Sequence, residues 1–214
     1  MRGGRRSAAG RPMIAVSLVA AVTVLLLGGA GARAATRNQP AATAQPTFAN
    51  FAAPSGLGQD SGEPSVGVDR ATGNVMFQAG LETLRVSGFD PATGGATWES
   101  VGAAITSHAS LDPILFTDPG TNRTFVSQLA ADCSLMAYTD DDGATWVQNP
   151  IGCGPGVYVD HQTVGGGPYA PPLVGTPAYA DATYYCAQAE VEASCAMSPD
   201  GGLTFDPAVP IYTT

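Results

Sequence analysis

The chain has 214 residues, with nine Arg, no Lys and 18 acidic residues, for a formal net charge of −9. Five of the arginines stand in the first 34 residues, so the remainder sets four positive side chains against 18 negative ones, a net of −14. A surface that acidic repels nucleic acid and anionic membranes, which are held through Lys and Arg, and a nucleic-acid partner is excluded.

Residues 1–34 carry the pattern of a signal peptide. Arg2, Arg5, Arg6 and Arg11 form a positive start, and the apolar run from 14 to 27 is too short to span a bilayer comfortably. Ala32-Arg33-Ala34 supplies a small-residue cleavage pattern. Arg5-Arg6 leaves both general and twin-arginine export open. Cleavage after Ala34 predicts a secreted, extracellular protein with no membrane span. Residues 35–58, rich in Ala, Pro, Gln and Thr, predict a flexible leader, with Phe48 and Phe51 tacking its end to the domain.

All four cysteines lie beyond the signal, and an even count in an exported chain predicts disulfides. Cys133–Cys153 and Cys186–Cys195 each bracket a local hairpin and are the expected pairs. A zinc site is disfavoured, because no C-x-x-C spacing occurs and only His108 and His161 are available.

From residue 59 onward short β-rich runs alternate with Gly, Asp and Asn turns, the pattern of an all-β meander. The runs repeat. Glu63-Pro64-Ser65-Val66-Gly67-Val68-Asp69 lines up with Asp112-Pro113-Ile114-Leu115-Phe116-Thr117-Asp118, 49 residues on. Trp98 and Trp146 are 48 apart, and so are Asp112 and Asp160. Three units result, approximately 59–107, 108–157 and 158–214. Their predicted strands are 65–68, 75–79, 83–87 and 97–100; then 114–117, 124–129, 134–139 and 145–148; then 161–164, 183–187, 193–197 and 203–205. A four-stranded unit of this period fits a β-propeller blade.

The turn before each fourth strand carries a further motif. Thr139, Asp141, Gly143, Thr145 and Trp146 fit the pattern S/T-x-D-x-G-x-T-W/F, and Ser198, Asp200, Gly202, Thr204 and Phe205 fit it again. A worn copy keeps Gly95, Thr97 and Trp98, with Thr93 where the Asp would stand. These octamers resemble the aspartate boxes of the bacterial sialidase-like (BNR) repeat family, over roughly residues 59–214. The resemblance implies a secreted β-propeller of four-stranded antiparallel blades, about three of them present. Three units do not close such a ring, so a truncated product or fragment is expected, with a further blade following Thr214. The boxes should be hairpin braces rather than catalytic groups: the Asp caps backbone N–H groups and the Gly takes positive φ.

The resemblance also implies a site around the channel, where innermost strands begin. Glu63, Asp112 and Asp160-His161 hold those positions, and His108 leads into the second unit. Loops between second and third strands add Glu82, Asp132, Glu190 and Glu192, while Arg70 and Arg123 fall at the opposite end. Sialidases grip a carboxylate with three arginines, beginning with Arg-Ile-Pro in the first blade, and add an Asp acid/base and a Tyr–Glu pair. Here that stretch is Gly62-Glu63-Pro64-Ser65, so sialic acid would meet a carboxylate. Three functions stay open: a module binding an extracellular glycan or protein ligand, a sialidase-like glycoside hydrolase using these carboxylates, or a propeller holding calcium on Glu63, Asp112 and Asp160. Glu-Pro and Asp-Pro also simply precede strands. The register predicts the three acids pointing toward one axis, with at least one protonated or a cation or ordered water compensating them.

Overall fold

A computed structural model describes residues 47–213 except 60, 111, 131–132, 152–158, 176 and 190–191. The signal segment, the first half of the leader, Asp132, Cys153 and Glu190 therefore lie outside the described residues.

Among the described residues twelve strands form three four-stranded antiparallel sheets, each a simple meander. The first contains β1 (Ser65–Val68), β2 (Val75–Ala79), β3 (Glu82–Asp90) and β4 (Gly95–Ser100). After a 3-10 turn at Ile105–Ser107 come β5 (Pro113–Thr117), β6 (Thr124–Ala130), β7 (Cys133–Thr139) and β8 (Val147–Gln148). The third holds β9 (Asp160–Pro168), β10 (Asp181–Gln188), β11 (Glu192–Ser198) and β12 (Val209–Thr213). The first strands of the sheets pack on one another, β1 against β5 and β5 against β9. Gly67 in β1 permits the first of these approaches, because a Cβ there would strike the Thr117 side chain. Among the described residues no helix is long and apolar enough to cross a membrane.

The second sheet is the middle layer, which explains why six of the seven residues of β6 are buried rather than every other one. Val126 faces the first sheet, in a cluster with Met76 and Leu115 against which Val101 and Trp146 pack. Phe125 faces the third, where Met136, Tyr138, Val164 and Tyr185 enclose it. A fully buried side chain such as Phe125 contributes about 1.5–3 kcal/mol.

Three expectations change. The fourth strand of the third unit is Val209–Thr213, not 203–205. Phe205 instead turns edge-on to Tyr185, with ring centroids 6.5 Å apart, and Pro207, which has no N–H to give a ladder, delays re-entry. The fourth strand of the second unit shortens to Val147–Gln148, because the box turn consumes Thr145 and Trp146. The leader is tied down at its end: Phe51 meets Phe89 edge-on at 5.0 Å, and the Gly58 N–H donates to Glu82 at 2.6 Å. Phe48 takes no part, being 94% exposed.

Cys186 and Cys195 stand directly opposite on β10 and β11 and are joined by a disulfide. Cys133 is disulfide-bonded as well. Such bonds fit an oxidising compartment.

Candidate ligand cleft

The starts of the three first strands converge. Residues 63–65, 112–114 and 161–162 line one cleft of about 320 Å³. Register explains the convergence, since equivalent residues of stacked, identically ordered sheets face the same end. Ser65 accepts the Leu115 N–H on its hydroxyl at 2.8 Å, joining first sheet to second. Gln162, buried in β9, donates to the Asp112 carbonyl at 2.7 Å and accepts from the Ser127 hydroxyl at 2.7 Å, joining third to second. Sequence reasoning passed over Gln162. Its signal was an amide at the position of Ile114, 48 residues on, where an apolar residue would otherwise stand.

Within the cleft the Glu63 and Asp112 carboxyl groups come together. That contact, and then the Asp112 charge, hold the Glu63 carboxyl above the ordinary glutamate range, while His161 pulls it down. A Glu63 carboxyl drawn toward its protonated form would add a donor to the acceptor oxygens that the pair offers to whatever enters.

Asp160 does not join the pair. Its carboxylate binds the His161 Nδ1 at 2.9 Å and the His161 N–H at 3.1 Å. The cause lies in the strand start: His161 has φ of 50°, and a register shift between Cys186 and Gln188 faces it from β10. His161 thereby takes the place in the cleft that the spacing gave to Asp160. The three-carboxylate calcium site is not assembled either, for among the described residues no group of three or more His, Cys, Asp or Glu could hold a metal ion. His108 is exposed just beyond the 3-10 turn and does not line the cleft. Glu82 holds the leader, and Glu192 accepts from the Ser194 hydroxyl at 2.6 Å.

Both aspartate boxes are braces. Asp141 accepts from the Thr139 hydroxyl, the Thr145 N–H and the Thr145 hydroxyl at 2.7–2.8 Å, and Thr139 caps the Gly143 N–H. Ser198, Asp200, Gly202 and Thr204 repeat the arrangement. The worn copy has its own solution, for Asp90 accepts from the Thr93 hydroxyl and the Ala92 N–H. Hydrogen bonding keeps the Asp90 and Asp141 carboxyls below the ordinary aspartate range, from Thr93 and Thr145 foremost. For Asp200 burial opposes ionisation, and the bonds from Thr204 and Ser198 outweigh it.

At the end of the sheets opposite the cleft, Arg123 grips Asp140 with two nitrogens at 2.7 Å and gives a third to the Gly201 carbonyl. Its guanidinium lies over the rings of Tyr138 and Tyr179. This arginine clamps sheets together and stands at the end away from the cleft, where it does not line the site.

No protein family, curated protein or solved structure matches the chain.

Proposed function

We propose that this protein is an exported, sialidase-like β-propeller protein whose strand-start cleft binds an uncharged extracellular glycan without cleaving it. The repeat period, the two aspartate boxes and the stacked meander sheets support the architecture, and the disulfides and the amino-terminal pattern support export. The observation that carries the binding reading is the meeting of the Glu63 and Asp112 carboxyl groups in one cleft, with His161 and Gln162 beside them.

That contact suits sugar hydroxyls, each of which is donor and acceptor at once, and it disfavours an anionic sugar. It also argues against hydrolysis. Retaining glycosidases hold their two carboxyl groups about 5–5.5 Å apart and inverting ones about 6.5–9.5 Å, so that the anomeric carbon or a water fits between them. Two carboxyl groups near enough to share a hydrogen bond would leave no such room.

Calorimetry of the full chain with a panel of neutral and sialylated oligosaccharides tests the proposal. A neutral sugar should bind, and Asp112→Asn should weaken it roughly tenfold or more, the worth of one hydrogen bond to a charged group. Turnover of a fluorogenic sialoside, or preference for sialylated glycans, would overturn it.

A further inference from the structure

A second acidic contact lies at the far end of β5, remote from the cleft. Asp118 follows β5 and Asp181 opens β10, so the pair spans the junction between second and third sheets. Both are out of water, Asp118 completely and Asp181 to 8% exposure. Asp118 accepts the Gly120 N–H on Oδ1 at 2.8 Å, while its buried Oδ2 has no hydrogen-bond donor. The Asp181 carboxyl is within hydrogen-bonding reach of Asp118, and it sits so tightly over Gly120 that a Cβ there would strike it. Two ionised carboxylates in contact without water repel far more strongly than an exposed pair.

The groups packed around this pair do not neutralise it. Arg123, which crosses the same junction, is committed to Asp140 and the Gly201 carbonyl. Tyr169 has a buried hydroxyl without a partner and is exposed to the charges of Asp181 and Asp200, with Tyr184 beyond it. Tyr179 bonds Thr121 through its hydroxyl and lies among Asp118, Asp140 and Arg123.

We propose that Asp118 and Asp181 form a proton-binding latch, one shared proton closing the junction between the second and third sheets in acid and its loss loosening that junction as pH rises. Burial first, then the hydrogen bond and charge of Asp118, hold the Asp181 carboxyl above the ordinary aspartate range. A carboxyl raised on folding adds stability that is complete below its unfolded value and is lost as pH rises through the folded one.

Thermal unfolding of the full chain, compared with Asp118→Asn between about pH 3.5 and about pH 7.5, tests the latch. The asparagine keeps an oxygen for the Gly120 N–H and offers Asp181 an amide donor, so its junction needs no proton. Relative to this variant the wild-type Tm should fall with pH, by about 3–5 °C for each tenfold of proton affinity gained on folding. Parallel curves would overturn the proposal. So would a wild type restored at neutral pH by calcium while the variant ignores it, since a cation would then hold the pair. If the variant fails to fold, hydrogen exchange of the wild type decides. Amides of 121–124 and 182–185 should lose protection with rising pH beyond the intrinsic rate, and constant protection would overturn the latch.

Discussion

The indole N–H of Trp146 donates to the Val101 carbonyl at 2.6 Å and ties the aspartate box of the second sheet to the end of the first. The equivalent Trp98, 48 residues earlier, packs edge-on to Phe77 with its Nε1 buried and without a partner. One repeated residue therefore occupies two energetic situations, and the difference is measurable.

Trp146→Phe keeps a ring in place and removes the donor. It should cost about 1 kcal/mol in urea unfolding, the net worth of a buried hydrogen bond. Trp98→Phe removes a donor that bonds to nothing and should cost clearly less, apart from the smaller ring. Equal losses for the two would show that ring volume, not the bond to Val101, decides.

Asp141→Ala should lower stability by on the order of 1 kcal/mol, as loss of a helix-capping carboxylate does, and leave glycan binding intact. Because its folded value lies below the ordinary one, the stability from Asp141 is present above the ordinary aspartate range and lost as pH falls through the lowered value. Wild type and variant should converge in strong acid. Loss of binding at full stability would contradict the bracing role.

These braces were legible in the sequence because each box is local: every bond of Asp141 goes to a residue within four positions. The repeat made the sheets legible too, and with them the meeting of Glu63 and Asp112, whose offset of 49 survives as equal strand position. The exchange of Asp160 for His161 was not legible, since a single left-handed residue and a bulge reverse which side chain faces inward. Nor was the pairing of Asp118 with Asp181. Asp118 has the turn position of Asp69, which caps the Ala71 and Thr72 N–H groups, and only the stacking of sheets brings Asp181 onto it.

Gly202→Ala should be among the most damaging single substitutions. Gly202 has φ of 96°, and a Cβ there would come 2.7 Å from a ring carbon of fully buried Phe125. Strain at such a φ costs about 1–3 kcal/mol before the clash is counted. A Tm loss of under about 4 °C would mean that the box turn relaxes away from the ring.

Glu63→Gln separates the electrostatics of the cleft from its shape. The wild-type carboxyl is raised by its hydrogen bond with Asp112 and by the Asp112 charge, so its favourable contribution is complete below the ordinary glutamate range and disappears as pH rises through the folded value. Above that value two carboxylates face each other, with the exposed His161 nearby to offset them in part. The glutamine amide donates to Asp112 at every pH. The variant should therefore match the wild type in acid and exceed it in Tm near neutral pH. Binding should divide in the same way: if the shared proton is what a neutral sugar meets, wild-type affinity falls from pH 4 to pH 8 while that of Glu63→Gln stays level. A wild-type affinity that instead rises with pH would mean that the ionised pair is the binding form, and a cationic ligand would replace the neutral glycan.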